Sequence, residues 1–491
     1  MLWRKLISNG INGKILRVIY NMYANAKSCI QEGSSVSDLF TCNIGVRQGE
    51  NLSPLLFALY LNDFELTISK KFKGLEFLSN EIKEALSDDD VEYFMRIFCL
   101  LYADDTIVLA ETPIELQAAL DAVHSYCQDW QLTVNTAKTK VVIFSRGRVK
   151  KAHTFCFGNE PLEVVREYTY LGTVFSSNGS MKAAVLKQVA QANRALFKLC
   201  SIISSLNLRI DTCWELFDKM VVPVLLYGCE VWGLSHIQYI ENFHKKFMKH
   251  LLKISKYSAN CMAYGELGRT TLEVVIKKRV IGFWIRLING DKHKLSYIMM
   301  QLQIDKLQNS NFKPQWVSSV KDILDTSGLG NYWLNAPGKN EGALMVIETR
   351  LTDMFRQSWS DSVQSNSLCL NYRMFKDVLH AEPYLTLLDT KDRVTITRFR
   401  CGNHNLPITG SRRQHNAILN KCSLCKHNAP GDEFHYILEC PAFKIQRTSL
   451  LPSYYWKRPD ANKFKHLFSS DNKKLLYQLS RFIRHINASF Q

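Results

Sequence analysis

No apolar run in this 491-residue chain approaches the roughly 20 residues that a helix needs to cross a bilayer. The first residues, Met1-Leu2-Trp3-Arg4-Lys5, hold no apolar core of signal-peptide length. There is no internal repeat and no low-complexity tract, so a solenoid or a compositionally biased linker is excluded. The fourteen cysteines lack the even framework of a disulfide scaffold. Most, such as Cys99, Cys127 and Cys229, sit among apolar neighbours and read as reduced core thiols. Together these absences predict an intracellular protein of the nucleus or cytoplasm, not secreted and without a membrane partner.

The chain is long enough for two to four domains and a large core. Its 46% hydrophobic and 22% charged residues are ordinary for globular protein. The net charge of +17 is uneven. From Lys391 to Gln491 there are 18 Lys or Arg against 6 Asp or Glu, a local excess of +12. A polyanion, most simply nucleic acid, is the partner that such a tail suits. A basic solvated face is the plainer alternative.

The stretch Cys99-Leu100-Leu101-Tyr102-Ala103-Asp104-Asp105-Thr106-Ile107-Val108-Leu109 organises the rest. Two apolar runs flank two adjacent acids, too close together for anything but a tight hairpin with buried strands. Neighbouring carboxylates resist joint ionisation, and a divalent cation offsets that cost. Hard oxygen ligands favour Mg²⁺ or Mn²⁺, and half of a two-metal phosphoryl-transfer site is the mechanistic reading. A solvated Asp-Asp turn is the other. Upstream, Gly45-Val46-Arg47-Gln48-Gly49 leads through Glu50-Asn51-Leu52 to Ser53-Pro54-Leu55-Leu56-Phe57. Ser53 suits an N-cap and Pro54 the first turn of a helix running to about Lys71. Arg47 and Gln48 offer donors to phosphate or base.

Downstream, Thr112-Pro113-Ile114-Glu115 is a capping box, and Leu116, Leu120, Val123, Cys127 and Trp130 form one apolar helix face. Lys138 and Lys140 precede a short strand over Val141 to Phe144. Helical patterns follow over 183–206 and 211–226, and amphipathic helix dominates 236–395. Near the end stands C-x2-C-x9-H-x4-C, formed by Cys422, Cys425, His435 and Cys440. That donor set and spacing suit a closed structural Zn²⁺ site, with His427 as an alternative nitrogen ligand and unrelated core thiols as the plain reading.

Tyr102-Ala103-Asp104-Asp105 matches the YxDD box of reverse transcriptases, and Gly45 to Phe57 matches their RQG box in the family's order. The chain resembles the polymerase of non-LTR (LINE-like) retrotransposons over residues 1–235, and again in the cysteine-histidine segment. The resemblance implies an RNA-directed DNA polymerase, a nucleotidyltransferase using an RNA template, a DNA primer or target and dNTPs. Asp104 and Asp105 would hold Mg²⁺ or Mn²⁺. Gly45, Arg47, Gln48, Gly49, Ser53, Pro54, Tyr102 and Ala103 would shape the nucleotide and template pocket. Lys138, with Lys140 as competitor, would protonate departing pyrophosphate. Tyr170, Leu171 and Gly172 would belong to a primer-grip hairpin. Lys187, Arg194, Lys198, Lys245, Lys246 and Lys249 could track a duplex, and Arg398, Arg400, Arg412 and Arg413 could contact RNA or target DNA.

The implied fold class is α+β: a partial right-hand polymerase palm with an antiparallel sheet on helices, a helical thumb and connector, and a small C-terminal zinc segment. The expected division is palm fragment 1–178, thumb and connection 179–300, helical linker 301–395 and basic zinc-bearing tail 396–491. A further aspartate, expected upstream of the RQG box, has no counterpart, since only Glu32 and Asp38 precede Gly45. The chain is therefore expected to be an N-terminally truncated element or gene product, inactive alone. The alternative is a non-catalytic nucleic-acid-binding remnant that uses the basic zinc segment and thumb. The sequence carries no sign of oligomeric state.

Overall fold

The computed structural model describes residues 1–24, 26–41, 45, 49–69, 75, 99–102, 105–145, 147, 153–309, 313–335, 341–409, 421–427 and 429–490. It divides into two compact units. One is Met1–Thr169 with Ser176–Gly179, and the other is Tyr170–Phe175 with Ser180–Gln491. The class is α+β, with five small sheets among the described residues. No helix among them is long and apolar enough to cross a membrane.

The first unit opens with helices α1 (Leu2–Ser8) and α2 (Gly13–Ala24), separated at the Asn9-Gly10 turn. Strands β1 (Lys27–Ser28) and β4 (Phe40–Thr41) pair around an inner hairpin of β2 (Gln31–Glu32) and β3 (Ser35–Val36). The expected single helix after the glycine loop is two, α3 (Ser53–Tyr60) and α4 (Phe64–Ser69). Their break sets Asp63 against the buried ammonium of Lys5 on α1. That ammonium also meets the Tyr126 hydroxyl at 3.1 Å and lies 3.4 Å from the Trp130 ring centre. A desolvated lysine is costly unless paired. Here a carboxylate and aromatic faces supply that pairing, and they tie the first helix to the helix Pro113–Asp129. Burial would raise the Asp63 carboxyl, but its bonds from Lys5 and Tyr126 outweigh this and hold it below the usual range.

Helix α5 (Pro113–Asp129) begins with the expected box, in which the Thr112 side chain accepts from the Glu115 N–H and Glu115 reaches back. Its face buries Leu120, Val123 and Cys127, with Phe64 and Ile68 of α4 packed against it. Beyond β5 (Cys99–Tyr102) and β6 (Asp105–Val108) lie β7 (Lys140–Val142), β8 (Phe155–Phe157) and β9 (Glu160–Val165). β9 pairs antiparallel with β8 and parallel with β7. The sheet is thus mixed rather than purely antiparallel, because the chain forms a hairpin with β8 before β9 reaches β7. Strands β10 (Glu167–Tyr170) and β11 (Thr173–Ser176) pair across a two-residue turn.

The second unit is helical around one continuous core from Val185 to Ile486. Its main helices are α6 (Lys182–Leu206), α7 (Ile237–Leu252), α8 (Asn260–Leu267), α9 (Leu272–Ile288), α10 (Glu341–Ser365), α11 (Thr390–Arg400) and α12 (Lys473–Ala488). At the end of α8 the segment around Ala381 crosses in direct backbone contact, with a bridge from Leu267 to Ala381 and a bond from Glu382 N–H to Glu266 O at 2.9 Å. Gly268 permits this. Its φ is +61°, and a Cβ there would stand 2.2 Å from the Ala381 nitrogen. Gly268→Ala is expected to destabilise this unit by about 2–3 kcal/mol, read in a urea titration. A change near zero would show that the crossing can shift at little cost.

Candidate metal centres

Three backbone features assemble the cysteine-histidine cluster. The Lys421–Pro430 bridge and the Cys422 N–H to Ala429 O bond at 2.9 Å close a knuckle that presents Cys422 and Cys425. The Leu424 N–H reaches the Cys422 sulfur at 3.4 Å. A π-helical turn, His435–Glu439, then supplies His435, and Cys440 follows at its end. Its wider ladder, marked by the Cys440 N–H to His435 O bond of 2.8 Å, brings residues five apart to one side.

The four donor atoms lie within 4.8 Å of one another. Cys422 Sγ and Cys440 Sγ are 3.8 Å apart, and Cys425 Sγ is 3.4 Å from His435 Nε2. A tetrahedron with Zn–S of about 2.3 Å and Zn–N of about 2.0 Å has S–S edges of about 3.8 Å and S–N edges of about 3.5 Å. The donors therefore fit such an ion. Glu439 Oε2 stands 3.3 Å from His435 Nδ1, so a carboxylate orients the ring with Nε2 towards the thiols. This orienting acid was missed in the sequence, although a His and Glu four apart on one turn signals it. His427 is exposed and outside the cluster. Burial would raise the Cys422 thiol, but the Tyr436 hydroxyl and the Leu424 N–H outweigh it and bring it to about 7. Cys440 is pushed up to about 12, chiefly by burial.

At the acidic hairpin, Tyr102 is the cross-strand partner of Asp105. Asp105 and Thr106 are exposed and Ile107 and Val108 half-buried, so β6 is not the doubly buried strand expected. Only β5 pairs with it among the described residues. Ala103 and Asp104 lie outside the described residues, as do Arg47, Gln48, Arg412 and Arg413.

Gly45 and Gly49 both have positive φ, +86° and +83°. Helix α3 starts at Ser53 itself, after Leu52, with Pro54 in its first turn. The Ser53 hydroxyl makes no cap. It meets the Tyr23 hydroxyl at 3.1 Å, and Tyr23 donates to Glu50 at 2.7 Å. Lys138 is exposed in the turn before β7, whereas Lys140 pairs with Glu163 at 2.8 Å. In the second unit Leu171 has φ +45°, uncommon for a bulky residue, and Gly172 has φ +82°. The Tyr227 hydroxyl donates to Leu171 O at 3.2 Å and holds this turn.

Two basic residues read as surface contacts are corrected. Lys249 is buried, and its ammonium donates to Lys256 O and Ser258 O at 2.9 and 2.7 Å. Arg400 is buried between Glu266 and Glu382. Arg194, Lys198, Lys246 and Arg398 are exposed, and Lys187 and Lys245 half-exposed.

Residues 2–175 match the family described as reverse transcriptase (RNA-dependent DNA polymerase). The chain is 21% identical over 246 residues to the RNA-directed DNA polymerase from mobile element jockey of Drosophila funebris, covering 50% of this chain and 25% of that protein. It is 29% identical over 144 residues to an uncharacterized transposon-derived protein of Caenorhabditis elegans, covering 28% of this chain and 49% of that one. It is 24% identical over 236 residues to a retrovirus-related Pol polyprotein from a type-1 retrotransposable element of Popillia japonica, covering 47% and 35%. The matches span from a quarter to about half of those relatives' lengths. By these matches residues 2–175 carry a segment of the reverse transcriptase family, and about half of the chain is similar to polymerases of mobile and retrotransposable elements.

Proposed function

We propose that this chain is a nucleic-acid-binding reverse transcriptase relative that keeps the metal-holding hairpin of an RNA-directed DNA polymerase but does not extend a primer alone. The family match over the hairpin and the glycine loop is the observation that carries this reading. Asp104 and Asp105 are the ligands for Mg²⁺ or Mn²⁺. Such ions, when bound, activate a primer hydroxyl and neutralise charge on the triphosphate. Exposure of Asp105 at the end of β6 leaves it open to ion and substrate. Gly45, Arg47, Gln48, Gly49, Ser53, Pro54, Tyr102 and Ala103 border the dNTP and template in this reading. Lys138, which has no carboxylate partner among the described residues, is the better placed of the two lysines to donate a proton. The positive-φ turn at Leu171-Gly172, with Tyr170 before it, supports the primer-grip role.

Two ions need more carboxylate than one hairpin offers. Glu32 and Asp38, the acids before Gly45, are exposed on or beside the short hairpin strands. The palm, thumb, linker and tail divisions and the structural Zn²⁺ at Cys422, Cys425, His435 and Cys440 belong to the same proposal. A primer-extension assay on an RNA template with Mg²⁺ or Mn²⁺ tests it. The expected result is no dNTP addition above an Asp104→Asn/Asp105→Asn variant. Robust synthesis that this variant abolishes would make the chain a complete polymerase. RNA binding by both proteins should weaken steeply with salt, because the tail's excess charge displaces counterions.

A further inference from the structure

A second sulfur contact lies apart from the metal cluster. Cys261, in the first turn of α8, and Cys369, in the 3₁₀ turn Ser367–Cys369 after α10, have sulfurs 3.4 Å apart. They are 108 positions apart in sequence. Both are buried, which usually makes a thiol inert. Two features set this pair apart. The hydrogen bond from Cys369 holds the Cys261 thiol below its ordinary pKa despite burial, whereas burial raises Cys127, Cys213 and Cys229. In addition, a cavity of about 30 Å³ is lined by Ala259 and Leu368, two residues and one residue from the pair, and by Cys401. That volume admits a molecule the size of water or peroxide and little else.

We propose that Cys261 and Cys369 are a modification site, a dithiol that hydrogen peroxide converts to a reversible disulfide. The Cys261 thiolate attacks one peroxide oxygen, the S–O bond forms as the O–O bond breaks, and hydroxide leaves and takes up the thiol proton as water. The Cys369 sulfur then attacks the Cys261 sulfur, the S–S bond forms as the S–O bond breaks, and the second water carries off the Cys369 proton. Two electrons pass from the two thiols to one peroxide. The sulfurs must close by about 1.4 Å to reach bonding distance. The helix is already fixed against α10, because Trp359 Nε1 donates to Cys261 O at 2.8 Å. The bond would staple α8 to the segment after α10 and close a long loop of the unfolded chain.

The test treats the full-length reduced chain, loaded with Zn²⁺, with a few equivalents of hydrogen peroxide. Residual thiols are blocked under denaturing conditions and the peptides mapped by mass spectrometry without reduction. The expected product is a Cys261–Cys369 cross-linked peptide that dithiothreitol reverses, with a rise in Tm of about 4 °C or more. In Cys369→Ser the cross-link and the rise disappear, and Cys261 is trapped as sulfenic acid by dimedone. The wild-type map stands on its own if that variant does not fold. Both thiols remaining blockable while Cys422, Cys425 or Cys440 oxidise would overturn the proposal.

Discussion

Replacing Arg400 by methionine is expected to destabilise the second unit by about 3–5 kcal/mol, seen as a lower urea midpoint with little change in slope. Arg400 is the centre of a buried group with two acids and a second base, all at most 2% exposed. Its Nε lies 3.0 and 2.9 Å from the Glu266 oxygens, its Nη2 3.0 Å from Glu382 Oε2, and its Nη1 donates to Phe468 O at 2.7 Å. Lys376 pairs with Glu382, and Tyr384 donates to Glu266. The charges balance, so the group survives burial as a set. Removing one cation leaves two carboxylates sharing one ammonium, away from water. Arg400→Lys is expected to fall in between, since a lysine cannot span both acids and the carbonyl. Replacing Arg400, Lys376, Glu266 and Glu382 together by apolar residues should recover much of the loss. The folded fraction of Arg400→Met should bind RNA with an unchanged salt slope. A weakened slope without destabilisation would return Arg400 to the surface role that its sequence context suggested.

That misreading shows where local pattern stops. In Arg398-Phe399-Arg400 the two arginines look alike, yet one is exposed and the other has no accessible face. What separates them is a carboxylate 134 residues earlier, delivered by the backbone crossing at Gly268. The break between α3 and α4, where Asp63 meets a lysine 58 residues away, was hidden for the same reason. Lys249 was hidden at shorter range, because the chain past the end of its helix folds back and presents the Lys256 and Ser258 carbonyls to it. The two π turns among the described residues were hidden as well. Phe217–Val221 runs into Pro223, which lacks the N–H an α-helical ladder would use, and reading 211–226 as plain helix overlooked it. Legible features were those whose determinants lie within a single short segment and show a recognisable spacing. The Thr112–Glu115 box needs one turn of helix. The β5–β6 hairpin needs two apolar runs and two residues between them. The four zinc-type donors lie within one short segment, which the structure brings together.

Loss of the proposed Zn²⁺ is the other large effect expected. A chelator should release about one Zn²⁺ per chain and expose 421–440 to protease, because a closed Cys₃His site contributes its binding energy directly to folding. The damage should spread beyond the knuckle. Tyr436, Ile437, Leu438 and Cys440 are part of the same buried core as α11 and α12. Arg447 donates to Ile437 O and Cys440 O at 2.8 Å each, joining the π turn to the helix after it. Cys425→Ser should therefore lower the Tm of the whole second unit and abolish zinc in the purified protein. Glu439→Gln should weaken zinc affinity by about 10–100-fold without removing a ligand. His427→Ala should change neither. Zinc occupancy should fall on acidification, since the ligands bind metal only after losing their protons. If Cys425→Ser kept full zinc content, the ion would be held elsewhere. If the chain held no zinc and melted identically with chelator, the four donors would be a core cluster whose tetrahedral spacing has another cause.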